Sequence, residues 1–191
     1  SNEHIVYVSP DGDDDTGDGT QENPWRQIQT AIVKTKDYNS KLVTINCAAG
    51  NYNNLSLTSY INHGYQLYMN GDVITTGGEF IVSNTDLTIS GTSTSTLSVT
   101  STGDRGIAVN GDMNFIVKGI STLNITARRY GITTIQLEGG CVILSCDVNI
   151  TLTANNAHSG VSLFNHGRLQ AGSINVHSDY GVGYGLSIQR F

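Results

Sequence analysis

Residues that can bind a sugar chain recur in this sequence just before a repeated glycine. The glycines are Gly106, Gly131, Gly160 and Gly185, at intervals of 25, 29 and 25 residues. Planar rings pack on the apolar faces of pyranoses, and arginine forms paired hydrogen bonds with hydroxyls or carboxylates. The candidate glycan-binding residues at these positions are Arg105, Arg128, Arg129, Tyr130, His158, Tyr180 and Tyr184. The alternative interpretation is a set of ordinary corner loops, because turns favour Asn, Asp and Gly.

Two carboxylates, Asp112 and Glu138, follow the first strand of consecutive repeats. On neighbouring coils of a repetitive fold they would lie close enough for general acid and base chemistry or for cation binding. Exposed carboxylates in turns are commoner than catalytic ones. We therefore name both residues as candidates and leave the catalytic residues unassigned. The sequence contains no catalytic triad, nucleophile elbow or phosphate-binding loop.

An aspartate-rich loop near the N-terminus has the oxygen spacing of a calcium site. Its candidate ligands are Asp11, Asp13, Asp15 and Glu22, at the first, third, fifth and twelfth positions of the loop. The sixth position is Thr16, where an EF-hand has glycine, and no helix precedes the loop. The alternative is a solvated turn. We expect no cofactor, with Ca²⁺ at this loop as the single candidate.

A repeat of about 25 residues must position these side chains. Each repeat contains three short segments of alternating apolar residues, separated by Gly, Asn and Ser turns. A parallel β-helix requires this pattern, with each coil about 4.8 Å from the next. The alternation turns Asn124, Asn149 and Asn175 outward, so we predict that their side-chain amides form a hydrogen-bonded ladder.

Residues 24–36 interrupt this pattern and predict one amphipathic helix. Asn23-Pro24 is a helix-start signal, with proline at the first helical position. The residues that fall on its apolar face are Trp25, Ile28, Ile32 and, at the edge, Val33. A helix before a β-solenoid can cover the apolar cross-section and unpaired strand edges of the first coil. We therefore predict a capping helix.

The charge and apolar pattern exclude two classes of partner. A net charge of −6 and a pI near 5.1 argue against binding nucleic acid through its phosphates. No apolar run is long enough to cross a membrane. Cys47, Cys141 and Cys146 lack metal-ligand spacing, so we expect small core residues with free thiols.

The N-terminal quarter of the chain resembles a known entry segment. The matching stretches are residues 5–12 (IVYVSPDG), 17–25 (GDGTQENPW), 28–32 (IQTAI) and 43–52 (VTINCAAGNY). They are similar to the start of pectate-lyase-like right-handed β-helix proteins, which include phage tailspikes and tail fibres. The remainder of the chain is similar in repeat pattern only.

The resemblance and the repeat together predict an all-β fold, a right-handed, single-stranded parallel β-helix with an N-terminal capping α-helix. We divide the chain into residues 1–40, with the first strand, the loop and the helix, and residues 41–191, with the coils. No second cap is visible, so we expect the coils to continue beyond Phe191.

The resemblance implies a phage tail fibre or tailspike segment in the virion. Such proteins are typically homotrimers that recognise or cleave bacterial surface polysaccharide. The alternatives are a polysaccharide lyase or glycoside hydrolase of the same fold and a secreted or cell-surface bacterial adhesin. The fold hosts all three, so it does not decide between them. Without a convincing catalytic set, we lean toward binding over catalysis.

Overall fold

The computed structural model describes residues 3–58, 63–137, 141–165, 167–181 and 183–189, which form a parallel β-solenoid. In chain order the elements are β1 (Glu3–Val8), α1 (Ile28–Thr35), β2 (Leu42–Asn53), β3 (Ser56–Thr58), β4 (Gly64–Gly77), β5 (Phe80–Ser83), β6 (Leu87–Gly91), β7 (Thr96–Ser101), β8 (Arg105–Asn110), β9 (Asn114–Ala127), β10 (Tyr130–Leu137), β11 (Cys141–Leu152), β12 (Ser159–Asn165), β13 (Arg168–Ala171), β14 (Ile174–Ser178) and β15 (Tyr184–Gln189). The all-β class predicted from the sequence is confirmed.

Each coil has three faces, and the long strands bend around the corner between the first two. β4 pairs with β6 through its first half and with β7 through its second half. β11 pairs in the same way with β13 and β14. The third face is a separate sheet with the strand order β15-β12-β10-β8-β5-β3 in the described part of the chain. These pairs are parallel, which confirms the predicted coil of three strands.

The core consists of columns of apolar side chains that stack from coil to coil. One column on the first face consists of Ile45, Leu67, Ile89, Val117 and Leu144, which are register partners in successive strands. Each of these side chains is at most 1% exposed. Full burial of such a side chain contributes about 1.5–3 kcal/mol. The alternating apolar positions of the sequence therefore determine which side of every strand faces inward.

The predicted asparagine ladder is present on the second face. Asn124, Asn149 and Asn175 are register partners. Each amide donates one step down the stack, from Asn149 Nδ2 to Asn124 Oδ1 at 3.1 Å and from Asn175 Nδ2 to Asn149 Oδ1 at 3.1 Å. Asn124 Nδ2 continues the ladder to Ser98 Oγ at 3.3 Å. The ladder links four coils through side chains in addition to the backbone.

The repeated glycines allow neighbouring coils to approach closely at one corner of the third face. A Cβ atom added to Gly131 would lie 2.5 Å from the carbonyl oxygen of Gly160. One added to Gly106 would lie 2.7 Å from the carbonyl oxygen of Gly131. Real Cβ atoms do not tolerate such distances, so the repeat of glycine reflects close packing of the backbones here. The residues just before these glycines are held in a stack.

The N-terminal helix is shorter than predicted, because its first four predicted residues are not helical. α1 begins at Ile28, and Trp25 instead forms a parallel bridge with Val8. The Asp14 carboxylate accepts hydrogen bonds from the backbone N–H groups of Arg26 and Gln27 at 2.8 and 3.0 Å, and Gln27 is extended. The prediction that Pro24 is the first helical residue is therefore wrong.

The apolar face of α1 is buried as expected, with one exception. Ile28, Ala31 and Ile32 are at most 1% exposed, whereas Val33 is 49% exposed and does not belong to that face. Trp25 is buried and its indole N–H donates to the carbonyl oxygen of Gly17 at 2.9 Å. The capping role of the helix remains a prediction. β1 pairs with β2 across the predicted boundary at residue 40, and the division into 1–40 and 41–191 also remains a prediction.

The three cysteines are free, as predicted. Cys47 is fully buried in the core, and burial raises the pKa of its thiol well above the ordinary range. Cys141 and Cys146 are half-buried. Within the described ranges, no helix combines the length and the apolar character that a membrane crossing requires.

Candidate functional site

The third face stacks the corner residues that the sequence singles out. Arg105 of β8 is the register partner of Tyr130 in β10, which in turn pairs with Ser159 in β12. Ser159 pairs with Tyr184 at the start of β15. Because the strands are parallel and in register, these four residues form one column across four coils. We call it the corner column.

Aromatic rings line this column. The ring centroids of Tyr130 and His158 are 5.1 Å apart, and those of His158 and Tyr184 are 5.8 Å apart. The guanidinium carbon of Arg129 lies 5.3 Å from the centroid of the Tyr130 ring, within cation–π range. His158 Nδ1 lies 2.9 Å from the Ser159 hydroxyl oxygen, a contact that orients the imidazole ring. The structure thus brings together four of the predicted glycan-binding residues.

Arg105 is held by a carboxylate that the sequence analysis did not single out. Its Nη2 donates to Glu79 Oε1 at 2.8 Å, and its Nε and backbone N–H also donate to the Glu79 carboxylate. The Arg105 and Glu79 side chains are 32% and 18% exposed. Partial burial by itself raises the pKa of Glu79, but the hydrogen bonds and charge of Arg105 outweigh it and hold that pKa below its usual range. Glu79 is therefore an ionised carboxylate at neutral pH.

Arg128 and Arg129 share a second carboxylate, Asp104. Arg128 Nη1 lies 3.3 Å from Asp104 Oδ1, without hydrogen-bond alignment, and Arg129 Nη1 lies 3.9 Å from Asp104 Oδ2. Both contacts are partly exposed, and such pairs contribute little to stability. Their effect is to balance charge beside the corner column. The three arginines that the sequence predicts as ligand contacts thus all have acidic partners in the protein.

A cavity opens beside the corner column. It has a volume of about 370 Å³ and is lined by Glu79, Asp104, Arg105, Tyr130, Thr133 and Phe164. Ligand pockets commonly occupy about 300–1,000 Å³ and combine apolar walls with a few polar groups. This cavity has two aromatic rings and three charged groups. A small organic group such as one or two sugar units fits that size and composition.

Small side chains form the floor of this region. Ala108, Thr133 and Ser162 are register partners on three successive coils, at most 3% exposed. The Thr133 and Ser162 hydroxyls are buried without a hydrogen-bond partner among the described residues. The adjacent Thr134 differs, because its hydroxyl oxygen accepts the backbone N–H of Phe164 at 3.0 Å. Two buried hydroxyls thus retain unused hydrogen-bonding capacity, an arrangement that is uncommon in protein interiors.

Tyr180 is not part of this arrangement. It lies in the turn after β14, where its side chain is 61% exposed, and it takes part in none of the ring contacts found among the described residues. Tyr184 is similarly exposed, at 65%, but its ring contacts that of His158 in a tilted arrangement. The role predicted for Tyr180 remains a prediction.

One member of the predicted acidic pair, Asp112, is not at this cavity. Asp112 is exposed in the turn between β8 and β9 and is not a lining residue. Glu138 lies outside the described residues, so the juxtaposition of the two carboxylates remains a prediction. The carboxylates that do line the cavity are Glu79 and Asp104.

The aspartate-rich loop uses one of its candidate ligands for its own backbone. Asp13 Oδ1 accepts the N–H groups of Asp15 and Thr16 at 2.8 and 2.9 Å, and these hydrogen bonds lower the pKa of Asp13. Asp11, Asp15 and Glu22 are exposed. Across the described ranges, no three His, Cys, Asp or Glu side chains come together in a way that could hold a metal ion. The arrangement gives Asp13 a turn-forming role, and Ca²⁺ binding stays a prediction.

Sequence reasoning missed four described residues of the cavity, Glu79, Asp104, Thr133 and Phe164. Glu79 directly precedes β5, in which Phe80 is the register partner of Ile107, so Glu79 lies opposite the repeated glycine Gly106. Glu79 therefore occupies the corner one coil before Arg105. That coil lacks the repeated glycine, so the sequence pattern did not show that Glu79 and Arg105 lie at the same corner of consecutive coils.

Comparison of the chain with protein-family models, with curated proteins and with solved structures gives no match. The geometry of the third face is therefore the basis for proposing a function.

Proposed function

We propose that this chain is a segment of a phage tail fibre or tailspike and that it contributes to recognition of polysaccharide on the host cell surface. The proposed binding site is the cavity together with the corner column. In that role the chain would assemble as a homotrimer, as the resemblance at its N-terminal end implies. Each of these statements goes beyond the fold itself.

The observation that carries the proposal is the cavity beside a column of neighbouring, mutually tilted rings. Tyr130 belongs to both, and the ring column continues through His158 to Tyr184. The column runs across the strands, along the axis of the solenoid, with one contact per coil. A polymer that lies along this axis would meet a similar surface at every coil spacing of about 4.8 Å. A linear glycan has that repetitive, extended form.

The buried hydroxyls add a second line of support. Leaving a buried hydroxyl without a partner costs about 1–3 kcal/mol. Thr133 lines the cavity, and rotation about its Cα–Cβ bond moves its hydroxyl to another staggered position. A sugar hydroxyl in the cavity would then supply the missing hydrogen bond. An apolar ligand would not.

The cavity favours binding over cleavage. A glycosidase needs one carboxylic acid with a raised pKa that can protonate the leaving group. Glu79 has the opposite property, because Arg105 holds its pKa below the usual range. The other lining carboxylate, Asp104, is shared by two arginines. Polysaccharide cleavage therefore has less support at this site than recognition.

A binding assay on immobilised bacterial lipopolysaccharides and capsular polysaccharides tests the proposal. The wild-type chain should bind a subset of them, and Tyr130→Ala should weaken that binding about tenfold through loss of ring stacking. Tyr68→Ala is a matched control, because Tyr68 is a half-buried tyrosine of the first face and is remote from the cavity. Equal binding by wild type and Tyr130→Ala would show that the site is wrong.

Two further measurements separate the alternatives. The release of new reducing ends or of ultraviolet-absorbing unsaturated uronates from a bound polysaccharide would indicate an enzyme. Sedimentation equilibrium of the chain gives the oligomeric state, for which the proposal expects a trimer. A monomer that binds glycan would favour the adhesin alternative.

A further inference from the structure

The charges around the cavity point to the class of glycan that it takes. Its lining contains two carboxylates, Glu79 and Asp104, and one guanidinium, Arg105. Among the residues that the structure describes, the formal charge of the lining is therefore −1. The whole chain is also acidic, with a net charge of −6. An anionic ligand group would therefore meet two carboxylates and one guanidinium in the described lining.

The positive charge in the described lining already takes part in an ion pair within the protein. Glu79 accepts three hydrogen bonds from the Arg105 side chain and one from its backbone N–H, with donor–acceptor distances of 2.8 to 3.1 Å. The pair is partly buried, which strengthens it relative to a pair in water. A ligand carboxylate would have to displace Glu79 to form a paired contact with Arg105. The remaining guanidinium N–H groups can still donate to a neutral hydroxyl.

Arg128 and Arg129 add no positive charge to the described lining of the cavity. Arg128 and Arg129 are not lining residues, and both are directed at Asp104. Arg129 also lies over the ring of Tyr130 and donates from Nε to the carbonyl oxygen of Asn156 at 3.3 Å. These contacts hold both guanidinium groups outside the described lining of the cavity.

We infer that the cavity selects an uncharged sugar and rejects glycans that present a carboxylate or phosphate group there. This inference rests on the proposed function and narrows it. From the sequence, arginine at these corners predicts contact with hydroxyls or with carboxylates. Because the arginines already form ion pairs with Glu79 and Asp104, a contact with a sugar hydroxyl is more favourable than one with a ligand carboxylate. A ligand carboxylate would also come close to these two like charges, which lowers its binding energy.

The test compares each neutral polysaccharide with its own oxidised form. Neutral bacterial O-chain polysaccharides and amylose, whose glucose units have free primary hydroxyl groups, are immobilised before and after oxidation of those groups to carboxylates, and the equilibrium affinity of the wild-type chain is measured on each. We expect binding to at least one neutral polysaccharide and a loss of about tenfold or more after oxidation. For the neutral ligand, affinity should not change with salt concentration.

The outcomes distinguish this inference from the proposed function. If the oxidised form binds as tightly as the neutral form, or if only uronate-containing capsular polysaccharides bind, the inference is wrong and glycan recognition stands. If no polysaccharide of either form binds, the proposed function is wrong and the inference fails with it.

One variant tests the cause of the selectivity. Glu79→Gln removes one negative charge from the lining and releases the guanidinium of Arg105, so the ratio of affinities for oxidised and neutral forms should rise about tenfold. Asp37→Asn makes the same change in net charge at an exposed residue after α1 and should leave the ratio unchanged. An unchanged ratio in Glu79→Gln, with the variant folded by circular dichroism, would show that this ion pair does not set the selectivity.

Discussion

Arg105 donates from Nη2 to Glu79 Oε1 at 2.8 Å, across one coil of the solenoid and 26 residues of sequence. This pair forms one side of the cavity. Because the two charges interact with each other, neither is available for an ion pair with a ligand. It also links the stability of the fold to pH through the carboxylate of Glu79. The predictions that follow start from this relationship and continue along the coils.

The stability of the chain should depend on the ionisation of Glu79 at acidic pH. Its pKa in the folded state lies below the ordinary value of 4.5. A carboxylate with a depressed folded pKa stabilises the fold at pH values above the unfolded pKa, and the contribution is lost as pH falls through the folded pKa. Urea unfolding of wild type and Glu79→Gln should therefore differ by a constant amount above about pH 5 and converge as pH falls below 4.5. A difference that grows on acidification would contradict the direction of the shift.

The two adjacent threonines of β10 should respond in opposite directions to the same substitution. Thr133→Val removes a buried hydroxyl without a partner and should leave the free energy of unfolding unchanged or raise it by about 1 kcal/mol. Thr134→Val removes the acceptor of the Phe164 N–H and should lower it by about 1–3 kcal/mol. Thermal and urea unfolding measure both. Equal losses of stability would mean that the Thr133 hydroxyl has a partner after all.

Thr133→Val also tests whether Thr133 contacts the ligand, without a loss of protein stability that would confuse the result. In the proposed site the hydroxyl is available to a sugar, so the variant should bind its polysaccharide more weakly although it is no less stable. Unimpaired binding by the stable variant would exclude Thr133 as a ligand contact.

The asparagine ladder should be sensitive to charge at its central rung. Asn149 both donates to Asn124 and accepts from Asn175, so Asn149→Asp removes the donor and brings a carboxylate toward the Asn124 oxygen. We expect a loss of about 1 kcal/mol in the free energy of unfolding. Asn155→Asp, at an exposed turn residue, makes the same change in charge and serves as the control. Identical unfolding midpoints for the two variants would show that the ladder contributes nothing to stability.

Three of the repeated glycines, Gly106, Gly131 and Gly160, should not tolerate even a methyl group. In Gly131→Ala the new Cβ would lie 2.5 Å from the Gly160 carbonyl oxygen and 2.6 Å from Ile150 Cγ2, so the coils must separate locally. Overpacking of this kind costs about 1–3 kcal/mol. Gly172→Ala is the matched control, since its Cβ would meet nothing within 4 Å. Comparable stability of the two variants would contradict the close approach of the backbones.

Much of the architecture could be predicted because a solenoid repeats local information. Every coil contains the same alternation, so Asn124, Asn149 and Asn175 were recognisable as a ladder from spacing alone. The spacing of Gly106, Gly131 and Gly160 likewise located the corner where Tyr130 and His158 meet. In a parallel register, equal positions in successive repeats become neighbours in space.

The predictions failed where contacts between different segments override a local signal. Pro24 is a good helix-start residue, yet Trp25 pairs with Val8, and the Asp14 carboxylate holds the next residues extended. The gain from the strand bridge and the buried indole exceeds the preference of one turn for helix. The local sequence of residues 24–27 does not show that Val8 and Asp14 lie beside them in the folded chain.

The sequence by itself determined the coil, its inward and outward faces and the column of corner residues, because these follow from period and register. Only the tertiary structure decided what the corner residues can do. The partner of Arg105 is Glu79, a residue from a coil without the repeated glycine, and the cavity depends on Phe164 from a coil on the other side. Charge pairing and cavity shape are set by distances between side chains on different coils, and no single repeat encodes those distances.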